Sequence, residues 1–446
     1  MTPPPAERPP VALGDGLVMR PAAVGDVDAL AAFNAEIHRD HGQTEPNDWV
    51  KVWTRDLMTR PHPTFSVGDF LIVEETGSGR IVSSLNLISQ TWSYGGVEFG
   101  VGRPELVGTD PAYRRRGLIR RQFEVIHRWS AERGELVQAI TGIPWFYRQF
   151  GYEMALELGG GRVMPRYAAP KLKEGEAEPF RVRPATAEDL PFIVEVDRHG
   201  RGRYLVSPVR DEPLWRLELD GRSERARPVL ALIETPAGEP VGFVTHNRIR
   251  FGNALNVTNV ELRPGASWLA VAPTLLRHLA ARGAETPPWR GEEPFEVIGF
   301  WLGAEHPLYR AAGERMPRVN PPYAFYVRVP DLPAFVRRIG PVLERRLAAS
   351  VAPGHTGELQ LSFYRSGLRL RFEAGRLAAA ESFDPPQHLD AGAWFPDLTF
   401  LQLLFGRRSL DELKSAYPDC YARGDEVPVL LDALFPRRIS RVWAID

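Results

Sequence analysis

Cysteine is almost absent. Cys420 stands alone in 446 residues, so the chain can form no internal disulfide and no all-cysteine metal cage. Lysine is nearly as scarce, at Lys51, Lys171, Lys173 and Lys414, and arginine carries almost all the positive charge. Neither sign of charge is in excess: 55 basic against 56 acidic residues leave a net charge of -1. That argues against a nucleic-acid partner, while leaving one local basic patch open. No apolar run approaches the ~18 residues of a membrane span. The opening Met-Thr-Pro-Pro-Pro-Ala-Glu-Arg has no apolar signal core. No Gly-x-Ser-x-Gly elbow, phosphate-binding Walker loop or His-Glu-x-x-His occurs. These absences point to a soluble, cytoplasmic protein.

What is present is ordinary globular material: 43% hydrophobic and 25% charged residues. At about 150 residues per domain, three domains are expected. Residues 1–15 are Pro-rich and are expected to be disordered or loosely docked. Apolar runs predict strands over Phe70–Glu75, Ile81–Gln90 and Glu105–Thr109, and helices over about Val24–His38 and from Ile119 to near Gly134. The charged, unpatterned stretch Lys171–Pro179 reads as a linker. Farther on, Leu332–Ala349 is helical, Glu358–Phe363 and Leu368–Phe372 form a hairpin, and a mostly helical tail runs from about Pro396 to Phe435.

Two short patterns recur at nearly one offset. Arg20-Pro21-Ala22 with Asp26 returns as Arg183-Pro184-Ala185 with Asp189, and Tyr147-Arg148-x-x-Gly151 returns as Tyr309-Arg310-x-x-Gly313. A tandem duplication is the expectation. The second copy has Ala270-Val271-Ala272-Pro273 where the first has Arg114-Arg115-Arg116-Gly117, so it lacks the basic loop.

That loop lies between a strand and a helix. A helix start offers unpaired N–H groups and partial positive charge, a glycine permits close backbone approach, and arginines supply forked donors. Together they suit a pyrophosphate. A solvated basic helix start is the alternative. Tyr147, by spacing alone, reads as an aromatic core residue.

The run Val107-x-Thr109-x-Pro111-x-Tyr113-Arg114-Arg115-Arg116-Gly117 resembles the acetyl-CoA signature of the GNAT N-acetyltransferases, with Ile119 departing from its last small position. Arg-Arg-Arg-Gly-Leu, ending at Leu118, is similar to the Eis (enhanced intracellular survival) type. So is Tyr147-Arg148-Gln149-Phe150-Gly151-Tyr152, and Leu403–Ser409 resembles a segment of that type's sterol-carrier-like domain. The resemblance implies an α/β fold of mixed sheets in three parts: a catalytic GNAT domain over 16–170, a degenerate one over 180–330 and a sterol-carrier-like domain over 331–446.

It further implies that Val107, Thr109, Arg114, Arg115, Gly117 and Leu118 bind acetyl-CoA, with no metal. Tyr147 becomes the general acid, and the terminal carboxylate of Asp446 the base. The segment after the first helix, with Glu45, Asp48 and Trp49, would receive a cationic amine, unless it is simply a packed helix with a solvated face. The implied acceptor is a small-molecule or peptide amine (an aminoglycoside, a polyamine or a lysine side chain), and the implied assembly a homo-oligomer, a hexamer in that type. Tyr309, without the loop, is expected to be structural. Two readings stand beside this one: a transferase of a longer acyl group, and a non-catalytic acyl-CoA or lipid binder.

Overall fold

Strands with apolar residues on both faces must be covered on both faces. The run Arg80–Tyr94 buries 12 of its 15 residues and lies mid-sheet. The computed structural model describes residues 8–40, 42–291, 293–385 and 391–442, and builds three sheets of nine, seven and five strands. The mixed α/β class follows expectation.

The first sheet runs in the order Val11–Gly14, Leu17–Pro21, Phe70–Glu75, Arg80–Tyr94, Val97–Thr109, Val137–Ile140, Tyr323–Arg328, Glu153–Leu158. Val206–Pro208 joins it against the end of Arg80–Tyr94. All pairings are antiparallel but one. Val97–Thr109 and Val137–Ile140 are parallel and touch only at Val101↔Val137 and Gly102↔Gln138. Beyond Gly102 no described strand pairs with that edge, and the sheet opens into a wedge. The helices are α1 (Val27–Ile37), α2 (Asp48–Thr59) and α3 (Leu118–Glu132). On α3, Phe123 and Ile126 enter the core with Leu85 and Leu87 of the sheet.

The second sheet runs Arg318–Asn320, Gly161–Pro165, Val297–Phe300, Ala254–Leu262, Pro240–His246, Val229–Glu234, Arg181–Pro184. Its one parallel pair, Ala254–Leu262 with Val297–Phe300, is again linked through a helix, Trp268–Glu285. The repeated pattern is visible as one ion cluster built twice. Arg20 bridges Asp26 (2.7 and 2.9 Å) and Glu74, and Arg183 bridges Asp189 (2.7 and 2.9 Å) and Glu234.

The sheets do not part between residues 170 and 180. Tyr323–Arg328 returns to the first sheet, and Gly161–Pro165 has already crossed to the second. The third sheet holds the expected hairpin, Gly357–Ser362 with Gly367–Glu373. Its helix Leu332–Ala348 places Phe335 and Leu343 in one core with Trp92, Phe99 and Phe325 of the first sheet.

One other expectation needs correction. Val11–Gly14 is a paired edge strand, and Arg8 sits 3.7 Å over the Trp129 ring, so residues 8–15 are docked. The tail is mostly helical as expected, in three short helices, Phe400–Leu404, Leu410–Ala416 and Glu426–Leu434, interrupted by the strand Tyr421–Arg423. Among the described residues, no helix is long and apolar enough to cross a membrane, and no group of three or more His, Cys, Asp or Glu side chains is placed to hold a metal.

Candidate active site

The wedge between Val97–Thr109 and Val137–Ile140 opens onto a cavity of about 780 Å³. One wall is the strand edge Glu105–Thr109, and a second is the segment Ile140–Ile143. The strand is bulged there: its register shifts opposite Ser84–Asn86, and Leu106 adopts φ +52°. A bulge re-aims side chains and backbone groups locally, so the free edge from Leu106 onward faces the cavity.

The basic loop forms the floor. Asp110 accepts from the Ala112 N–H (2.8 Å) and turns the chain over Pro111–Tyr113. Arg115 (φ +65°) and Gly117 (φ +74°) then take left-handed conformations just before α3. No side chain caps α3, and its first turn has no acidic residue. A Cβ at Gly117 would meet nothing within 4 Å. Arg114, Arg115, Arg116 and Arg120 are exposed and form no ion pair among the described residues; Arg114 only leans on the Thr109 carbonyl (3.3 Å) and Arg120 on Gln149 (3.0 Å). An uncapped helix start beside four unneutralised guanidiniums suits an anion.

Tyr147 enters from the short helix Phe146–Phe150. Its ring is buried among Phe123, Phe146, Tyr152 and Tyr326 at centroid distances of 5.1 to 6.3 Å. Such contacts are each worth about 1 kcal/mol beyond burial. Gly142, at φ +138°, makes room: a Cβ there would lie 2.8 Å from the ring and 3.2 Å from the hydroxyl oxygen. Tyr147 lines the cavity, and its hydroxyl makes no hydrogen bond among the described residues. Burial first, then Glu105 and Tyr326, push its pKa up, so the phenol stays protonated at neutral pH. Tyr309 differs. Its hydroxyl donates toward the Phe300 and Gly303 carbonyls (3.1 Å each) and accepts from the Leu302 N–H (3.3 Å). It is a strut.

The structure thus brings Val107, Thr109, Arg114, Arg115, Gly117, Leu118 and Tyr147 to one cavity. Glu45, Asp48 and Trp49 do not line it. The face of α2 that does presents Val50 and Trp53. Trp49 instead packs edge-on against Phe251 and Trp289 at 5.9 Å, Asp48 lies 3.5 Å from Arg290, and Glu45 is exposed. The alternative of a packed helix with a solvated face fits this segment better, with Trp49 packed toward the second sheet. Asp446 lies outside the described residues.

Sequence reasoning missed two polar groups. Glu105 lines the cavity beside Arg103, and burial raises its pKa against the pull of that guanidinium. His38, just past α1, also lines it. Its Nε2 is buried without a partner, and burial lowers its pKa, so the imidazole is neutral at pH 7. The signal for Glu105 was its place on the strand feeding the basic loop; His38-Arg39-Asp40-His41 reads in sequence as exposed charge at a helix end, whereas the His38 Nε2 is buried.

Against this geometry the comparisons are direct. Residues 20–155 match the acetyltransferase (GNAT) domain family. The chain is an acyltransferase. Its GNAT domain holds the basic loop, the wedge and Tyr147. A GCN5-related N-acetyltransferase from Kribbella flavida shares the fold at TM-score 0.63 and 19% identity, over 96% of this chain and 97% of that one. Eis1 from Mycobacterium abscessus does so at 0.57 and 15%, over 96% and 99%. An N-myristoyltransferase from Saccharomyces cerevisiae, solved with myristoyl-CoA, reaches 0.51 at 10% identity, over 72% and 81%. Comparison with curated proteins finds no match.

Proposed function

We propose that the protein moves an acetyl group from acetyl-CoA to a primary amine in the first-sheet cavity. The observation that carries this is the free, protonated Tyr147 hydroxyl in the same cavity as an uncapped, arginine-flanked helix start. In this reading Arg114, Arg115 and the α3 start at Gly117 and Leu118 hold the pyrophosphate. The unpaired edge at Val107–Thr109 pairs with the pantetheine arm, and a backbone N–H there polarises the thioester carbonyl.

The amine nitrogen attacks the carbonyl carbon and the carbon–sulfur bond breaks. The amine gives up a proton to a base, and the sulfur takes one from Tyr147. The base is assigned to the terminal carboxylate of Asp446. Val442 forms a bridge to Leu158, and Leu158 pairs with Tyr323. Tyr323 lies on the strand whose Tyr326 stands opposite Ile140, a cavity residue. Four more residues reach at most about 14 Å from there. The twice-built arginine cluster supports a tandem GNAT pair, with the third sheet as the sterol-carrier-like part. Cationic amines (aminoglycosides, polyamines, lysine side chains) are the acceptor class, and a homo-oligomer is the assembly.

Release of free thiol from acetyl-CoA across a panel of such amines tests the reading. The wild type turns over with at least one of them, and Tyr147→Phe loses about 100-fold or more in kcat, as loss of a general acid does. Unchanged turnover in Tyr147→Phe removes that residue from the mechanism. Transfer from a longer acyl-CoA in place of acetyl-CoA would reassign the donor and leave the site where it is.

A further inference from the structure

A second basic cleft lies away from the GNAT site. It has a volume of about 640 Å³ and sits against the second sheet, between the loop 222–228, the end of Pro240–His246 and the end of the helix Trp268–Glu285. Four arginines line it: Arg225, Arg227, Arg248 and Arg282. The carboxylates lining it are Glu224 and Glu285, and Glu285 is already paired with Arg282 at 2.7 Å.

Arg227 and Arg248 have no ion pair among the described residues, and the Nε atom of each is buried without a hydrogen-bond partner. His246 also lines the cleft. It is 2% exposed, its Nδ1 meets the Asn247 carbonyl at 2.9 Å, and its Nε2 is buried and unpartnered.

Burying unpaired guanidinium nitrogens and an unpaired imidazole nitrogen is costly, and a ligand that supplies several acceptor oxygens and negative charge removes the cost. Two uncompensated forks call for a dianion more than for a single carboxylate. Thr286 apart, the rest of the lining, including Leu219, Val229 and Ile249, is apolar. We propose that this cleft binds a phosphorylated small molecule, its phosphoryl group on Arg227 and Arg248 beside His246 and its apolar body against the second sheet. His246 is held neutral at rest by burial and by Arg248 and Arg282. His278, on the same helix as Arg282, is lowered to about 4 and is neutral too. A bound dianion offsets those arginines and lets His246 protonate and donate through Nε2.

Calorimetric titration with inorganic phosphate tests this in full-length protein carrying Arg114→Glu and Arg115→Glu, which disables the other anion site. Phosphate is expected still to bind there, and to bind at least about tenfold more weakly once Arg227→Gln and Arg248→Gln are added. Arg227→Gln alone is the fallback if the quadruple variant loses its folding transition. A sulfate titration adds a second readout: affinity rises as pH falls, because sulfate keeps its charge while His246 gains a proton. Absence of phosphate binding in the folded Arg114/Arg115 variant, or binding unaffected by the cleft substitutions, overturns the proposal.

Discussion

Tyr147 and Tyr309 occupy the same place in a repeated pattern and do different things, because their hydroxyls face different surroundings. The Tyr309 oxygen ties together three backbone groups in a buried loop. Removing it in Tyr309→Phe leaves a buried N–H and two carbonyls short of a partner. The expected cost is about 1–3 kcal/mol in urea denaturation, with acetyl transfer per folded molecule unchanged. Tyr147→Phe removes a hydroxyl with no protein partner, so its stability should stay within about 1 kcal/mol of wild type while turnover collapses. A Tyr309→Phe protein as stable as wild type would mean that the strut is not one. The residue roles were legible in part. The pattern marked Tyr147, but Gly142, whose missing side chain makes space for the ring, and Tyr326, brought from 179 positions later in the chain, carry no local signal.

The two helices that follow the bulged strand and its counterpart differ at their first residue. The α3 helix begins after Gly117, which has no side chain to cap it. The helix Trp268–Glu285 begins after Ser267, whose hydroxyl accepts from the Ala270 N–H at 3.3 Å. One start is left open for an anion and the other is closed by its own serine. Three arginines and a glycine between a strand and a helix made the first start readable from sequence. The α2 helix was legible only as one alternative, a packed helix with a solvated face, and its facing was illegible. Its two tryptophans, Trp49 and Trp53, sit four positions apart. Only contact with Phe251 and Trp289 decides that Trp53, rather than Trp49, lines the cavity.

At the scale of the molecule, the exchange of Gly161–Pro165 and Tyr323–Arg328 stitches the first two sheets together. Composition and punctuation place linkers where the chain is polar. They do not reveal a strand that pairs across a boundary, because that pairing depends on partners far away in sequence. The third sheet shares its core with the first, so the residues after 330 are expected to be needed for the fold of the GNAT site. The last residues are a separate matter. Val442 is the last buried anchor among the described residues. A chain ending there should keep its melting temperature and its acetyl-CoA affinity and lose transfer. Full transfer by that truncation would exclude the terminal carboxylate as base.

In the proposed function the helix start at Gly117, with its arginines, holds the donor. Calorimetric titration of acetyl-CoA into wild type and into Arg114→Glu, Arg115→Glu protein addresses it directly. Binding to the wild type, weakened at least about 100-fold in the variant, is the expected result, since each charge-assisted contact is worth about 1.5–3 kcal/mol. Equal affinity in the two proteins, or no binding to folded wild type, would contradict the account.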